Sequence, residues 1–289
     1  MSATIERRAR LSRLTEDSML QHEALLADVT SYESAPGAVA FWWMGQHSFI
    51  LRVACHTIYI DPYLTPNDSR RTPPLVCPDE VTNADIVLCT HDHGDHIDPG
   101  AVPGIAAASP EAFFVAPRTA RQRMLDLDVD PVRLVSLDAE DAYVAEGIRV
   151  TAVKAKHEFF DRDDALGYPY LGYVIEAGDV TVYHAGDTIL YDGLIATLAQ
   201  WDIDVAFLPI NGRDARRLKA NCLGNFTFQE AVDVAGDIDA AYAVPTHYEM
   251  FEFNSADPQD FVDYLAVKFP DIDTWVGEAG TRVVVNSKR

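Results

Sequence analysis

The chain has 289 residues, 48% hydrophobic and 24% charged, ordinary proportions that exclude disorder, collagen-like repeats and coiled coil as the main architecture. Lys plus Arg number 23 against 45 Asp plus Glu, and the resulting charge of −22 repels nucleic-acid phosphate and anionic lipid. Apolar runs such as 39–44 and 86–89 are far shorter than the ~20 residues of a spanning helix, and Cys55, Cys77, Cys89 and Cys222 form no CxxC pair, so a cytoplasmic protein with reduced thiols and neither membrane nor nucleic-acid partner is expected.

Residues 1–36 place Leu11, Leu14, Leu20, Leu25 and Leu26 among charges, which predicts an N-terminal extension of one or two amphipathic helices ending before Pro36. The remainder, 37–289, reads as one domain of mixed strands and helices with no long linker. Short β-rich runs predict strands at 39–44, 49–53, 57–60, 86–89, 113–116, 148–153, 171–176, 180–184, 205–210, 241–244 and 282–285. Helical stretches are expected at about 118–127, 191–200, 227–236 and 258–268. One internal echo is visible: 47–64 and 170–190 each read strand, turn, strand, aspartate, ending at Asp61 and Asp187. Two related halves forming a pair of sheets would bring both aspartates toward one edge.

Directly after the apolar run 86–89, the segment 90–98 (THDHGDHID) packs three imidazoles and three carboxylates into nine residues. Neutral imidazole and carboxylate oxygen are complementary ligands for divalent ions, and nothing in this run serves packing. His91 and His93 can point one way, with Asp95 and His96 facing a second position, so two adjacent metal sites are expected. Two ions need more ligands than this segment carries. His157, Asp187 and His247 each lie past the carboxyl end of an expected strand, where sites in α/β proteins assemble.

The HxHxDH segment, the upstream Asp61, then His157, Gly186-Asp187 and His247 occur in the order of the metal-binding motifs of the metallo-β-lactamase superfamily, which the sequence resembles over about residues 38–280. Three longer strings, 157–175 (HEFFDRDDALGYPYLGYVI), 208–214 (LPINGRD) and 221–230 (NCLGNFTFQE), are similar to the L-ascorbate-6-phosphate lactonase (UlaG-like) family. The resemblance implies an α/β fold, the αββα metallo-β-lactamase sandwich, with the site at one edge of its sheets. It implies one metal on His91, His93 and His157, a second on Asp95, His96 and His247, and Asp187 bridging them. Asp61 would orient a ligand from behind, and His184 and His47 are expected as supports or core, with His22 and His56 on the surface.

The expected enzyme is a dinuclear hydrolase that opens a phosphorylated sugar lactone with a metal-activated hydroxide, the ions being manganese or zinc, or iron. Asp95 and Asp187 are the candidates to orient the attacking group and carry its proton. In so acidic a chain, Arg213, Arg216, Arg217 and Lys219 stand out and point either to an anionic substrate or to ion pairs. Asn211, Arg213, Asn225 and Tyr248 are the candidate substrate contacts. Apolar positions in the N-terminal helices suggest a homo-oligomer. The competing readings are a metallophosphodiesterase, which the charge disfavours, and a non-hydrolytic redox or binding scaffold, for which no GxGxxG flavin or dinucleotide signature is present.

Overall fold

The computed structural model describes residues 23–289. Most of the expected N-terminal extension, with His22, therefore lies outside the described residues; what is described of it is a helix, α1, over 23–31. Strands β1 (Ala38–Trp43), β2 (Phe49–Val53), β3 (His56–Ile60), β4 (Ile86–Leu88), β5 (Phe113–Pro117) and β6 (Leu134–Leu137) form a first sheet in sequence order. Strands β7 (Ala142–Ala145), β8 (Ile148–Lys154), β9 (Leu171–Ala177), β10 (Val180–His184), β11 (Val205–Pro209), β12 (Tyr242–Thr246) and β13 (Asp273–Thr274) form a second. The last strand, β14 (Arg282–Asn286), returns to pair antiparallel with β1.

The two sheets repeat one pattern. Along β14-β1-β2-β3-β4-β5-β6 the pairings run three antiparallel then three parallel, and β7 through β13 runs the same way. The hairpin β2–β3 thus corresponds to β9–β10, the two segments whose sequences echo each other, and Asp61 and Asp187 follow corresponding strands.

Period-two alternation in β1 shows how the layers form. Val39, Phe41 and Trp43 face the core between the sheets, whereas Ala40, Trp42 and Met44 face a second core beneath α1 and the helices α2 (Val102–Ala108) and α3 (Arg121–Asp126). On the far side, α4 (Leu194–Leu198), α6 (Phe228–Asp237) and α7 (Pro258–Lys268) cover the second sheet, while the short α5 (Ala215–Lys219) buries no residue. The result is the αββα sandwich. Leu25 and Val29 of α1 pack into the outer core, and the Trp42 indole N–H donates to Asp28 at 2.9 Å, so this part of the apolar stripe finds its partner within the chain.

Every strand expected from sequence is present to within a residue or two. Unforeseen were β6, β7 and β13, the latter two short and half exposed, and α2 and α5, each under two turns long. Among the described residues no helix is long and apolar enough to cross a membrane.

Candidate metal centre

The strand-end loops of both sheets meet at one edge. After β4 the chain turns tightly, with His96 N–H and Ile97 N–H both donating to the His93 carbonyl, and His91, His93, Asp95 and His96 are brought into the ligand groups. Loop 185–188, after β10, is held against the start of the neighbouring strand β9 at Gly186, which adopts φ +60; a Cβ there would lie 2.3 Å from the Leu171 carbonyl oxygen. Glycine is required for that approach, and the approach sets Asp187 at the floor of the site. Around it Gln46, Asp61, Glu158 and His247 all hold positive φ values of 45 to 66°, backbone strain of the kind that gathers at functional sites.

The seven candidate ligands come together. His91, His93 and His157 form one group, and Asp95, His96 and His247 another, in each of which the ligand atoms lie within 4.8 Å of one another; His91, His96 and Asp187 form a third between them. Asp187 Oδ2 is 3.1 Å from His247 Nε2, 3.6 Å from His96 Nε2 and 3.7 Å from His157 Nε2. Two ligands about 2.1 Å from one tetrahedral ion stand about 3.4 Å apart, so these separations match a shared cation better than a set of hydrogen bonds. The orphan atoms agree: His96 Nε2, Asp187 Oδ1 and His247 Nδ1 are buried without a hydrogen-bond partner. Nitrogen and carboxylate donors left unsatisfied in one pocket are suited to divalent ions, and the residues present therefore fit them.

Tautomers are set from behind. Asp61 accepts from Thr90 N–H and from the Thr90 hydroxyl, and takes His96 Nδ1–H at 2.7 Å, which turns Nε2 toward Asp187. His157 donates Nδ1–H to the Gly224 carbonyl at 3.1 Å, freeing its Nε2 in the same way. Burial pushes the His157 imidazole down to about 4 and holds His91 well below the usual range, so both are neutral ligands at pH 7. Burial acts likewise on His96, but Asp187, Asp61 and Asp95 outweigh it and raise that imidazole well above its ordinary value. Against burial, His247 and His96 hold the Asp187 carboxyl well below the carboxylate range. The pocket is built to receive positive charge.

His47 and His184 do not enter the ligand cluster. Their rings stack at 3.9 Å; His184 Nε2–H donates to the His47 carbonyl and His47 Nε2–H to the Gly186 carbonyl, so the pair pins the loop that carries Asp187. His56 is half-buried and reaches the Glu146 carbonyl, away from the site. Two neighbours escaped the sequence reading. Tyr170 sets its ring 5.2 to 5.9 Å from those of His157, His91 and His93. Gln46, fully buried, places its amide Nε2 2.8 Å from Asp95 Oδ2 and 3.2 Å from His247 Nε2, and its main-chain carbonyl accepts from His247 N–H. Its only sequence signal was adjacency to His47. Gln46→Ala is expected to weaken ion binding at the Asp95, His96, His247 group by about 10–100-fold while leaving the other group intact, read by equilibrium dialysis of the metal-free protein. Equal affinities in variant and wild type would assign Gln46 to backbone support alone.

The substrate contacts expected from sequence require correction. Above the cluster opens a cleft of about 650 Å³, and none of Asn211, Arg213, Asn225 and Tyr248 lines it. Arg213 instead forks onto Glu230 at 2.6 and 2.8 Å and caps the Asn225 carbonyl. Tyr248 packs its buried ring on Trp43 at 4.9 Å, and Asn225 and Asn211 are buried and bonded to each other. Arg213→Ala is therefore expected to spare ion content and hydrolysis and to cost about 1 kcal/mol of stability at neutral pH. Burial raises the Glu230 carboxyl, but Arg213 and the Thr227 N–H hold it below its ordinary value. That stabilisation is present above the unfolded carboxyl value of about 4.3 and is lost as pH falls through the lower folded value, so wild type and variant converge in acid. Urea unfolding at pH 7 and pH 3 checks the sign.

A sandwich of two like sheets with histidine and aspartate loops converging at one edge defines a metallohydrolase of the metallo-β-lactamase kind. The chain belongs to the β-lactamase superfamily, whose domain model matches residues 56–248. It is 31% identical over 209 residues to a UPF0173 metal-dependent hydrolase of Pyrococcus horikoshii, covering 71% of this chain and 82% of that one. A UPF0173 metal-dependent hydrolase of Exiguobacterium is also 31% identical, over 214 residues, 72% of this chain and 85% of that one. Among solved structures, Igni18, a metallo hydrolase from Ignicoccus hospitalis, superposes with a TM-score of 0.69 at 24% identity over 86% of this chain and 98% of that one. The protein is a metal-dependent hydrolase.

Proposed function

We propose that this hydrolase cleaves a carboxylic ester bond, with a lactone ring, as the UlaG-like resemblance implies, the first substrate to assay. The observation that supports the reading is the meeting of two three-ligand groups around Asp187 at the floor of an open cleft. His91, His93 and His157 would hold one divalent ion and Asp95, His96 and His247 a second, with Asp187 between them. When bound, such ions acidify water and polarise a carbonyl. Asp187, facing three imidazoles and 4% exposed, serves to hold the cluster together. The Asp95 side chain is 25% exposed and lines the cleft, so it is the carboxylate placed to orient the attacking water, accept its proton and return it to the leaving alkoxide. Gln46 holds that carboxylate in place through its amide N–H.

The test incubates the manganese- or zinc-loaded protein with lactones, ascorbate 6-phosphate among them, with aryl esters and with bis-p-nitrophenyl phosphate. Hydrolysis of lactones or esters is expected. Turnover of the phosphodiester alone would replace the reading with a phosphodiesterase, and bound iron with no hydrolysis of any ester would favour the scaffold.

A further inference from the structure

The basic island at 213–219 looked like the mark of an anionic substrate, yet the structure turns its two half-buried members away from the cleft. Arg213 is held by Glu230. Arg217 donates to Asp214, to the Asn211 carbonyl at 2.7 Å and to Asn254 Oδ1 at 2.8 Å. Asn254 is 91% buried and lines the cleft, and its Oδ1 accepts a second hydrogen bond, from Asn211 Nδ2 at 2.8 Å. Two donors on one oxygen fix the orientation of that amide and leave its NH2 as the group offered to a ligand. The half-buried guanidinium thus spends its donors on Asp214, Asn211 and Asn254 and aims a neutral donor into the cleft.

The rest of the wall has the same character. Beyond the ligand cluster the cleft presents the amides of Asn67 and Asn221 and the rings of Tyr63, Phe251 and Phe253. Phe253 is 66% exposed and leans on Phe251 at 5.9 Å, which in turn meets Tyr63 at 6.2 Å, so a ladder of rings leads from solvent into the cleft. Among the described residues no lysine or arginine lines it. Asp98 is the one carboxylate there outside the cluster, and it is tied to the backbone N–H groups of Leu64, Thr65 and Gly100. A phosphate would enter this wall with no cationic partner and lose its hydration for nothing, whereas an apolar group would be covered by rings.

We propose that the cleft selects an uncharged acyl substrate carrying an apolar arm, the arm lying along Phe251 and Phe253 and Asn254 donating a hydrogen bond to one of the substrate's oxygens. This rests on the ester-hydrolase reading above. The test compares γ-phenyl-γ-butyrolactone, γ-butyrolactone and a phosphomethyl γ-lactone with the full-length zinc-loaded protein, and measures by calorimetry the binding of the ring-opened phenyl and phosphomethyl hydroxy acids. The phenyl lactone is expected to exceed the phosphomethyl one in kcat/KM by about tenfold or more. Phe253→Ala should remove most of that advantage through KM. Asn254→Asp keeps both accepted hydrogen bonds and exchanges the NH2 donor for a carboxylate oxygen whose charge Arg217 balances, so it should fold as wild type and lose about tenfold in kcat/KM on every uncharged lactone. Preference for the phosphomethyl compound, or full activity in Asn254→Asp, overturns the proposal. Should neither lactones nor aryl esters be hydrolysed, the ester-hydrolase reading fails, and the two hydroxy acids decide this one separately: tighter binding of the phenyl acid supports it and tighter binding of the phosphomethyl acid overturns it.

Discussion

Asp187→Asn is expected to abolish hydrolysis, with kcat/KM falling on the order of 10³-fold or more, and to reduce bound metal at both ligand groups together. The reason is position: Oδ2 lies within 3.7 Å of imidazoles from three separate loops, so no other single side chain touches both groups in this way. The metal-free variant should be less stable than the metal-free wild type at neutral pH. His247 and His96 hold the Asp187 carboxyl well below its ordinary range, so its charge contributes stability above the unfolded carboxyl value that the amide lacks, and the raised His96 imidazole loses its partner. Zinc at about 100 times its dissociation constant should stabilise wild type by about 2.7 kcal/mol and the variant by much less. Thermal unfolding with and without zinc, alongside metal analysis, reads all three effects. A variant that is destabilised without metal yet retains normal metal content would make Asp187 a structural residue and undo the proposed centre.

The second large effect is expected in the core. Phe207 on β11 is fully buried between the sheets, 4.1 Å from the ring of Phe49 and 5.2 Å, edge to face, from Phe41. Phe207→Ala should cost about 3–5 kcal/mol, the transfer of the ring plus the cavity left between two sheets that cannot collapse onto each other. Phe207→Leu, which fills most of the volume, should cost less than about 1.5 kcal/mol. The same ring also lies 6.1 Å from His184, whose stack with His47 pins the loop of Asp187. Weaker zinc binding is therefore expected in the alanine variant, under conditions where it remains folded. Urea midpoints for the three proteins, followed by zinc titration, test both parts; an alanine variant within about 1 kcal/mol of wild type would show that the inter-sheet core is not the main stabiliser.

Much of the architecture was legible because its signals are local. The run 39–44 is apolar on both faces since β1 is buried between two cores, and the hairpins ending at Asp61 and Asp187 announced the repeat that the strand pairings display in full. The histidine segment 91–96 is dense enough to declare itself without a fold. By contrast, β7 and α5 bury too little to impose a period on their sequences, and α5 was visible only as a cluster of charges. Gln46 and Asn254 carried no signal of their own, because an amide becomes informative only when its partners are known.

From the amino-acid order alone came most of the strands, the ligand types and the expectation that distant histidines would join the 91–96 segment, all consequences of periodicity and donor chemistry readable within a few residues. Which atoms those side chains face is a matter of contacts between segments tens to hundreds of residues apart. Arg213 could have met a phosphate as readily as Glu230, and only the docking of α6 beside the loop after β11 decided for the carboxylate. The same long-range packing turned Arg217 toward Asn254 and left the cleft to amides and rings, because charge in a sequence does not specify its partner until the chain has closed around it.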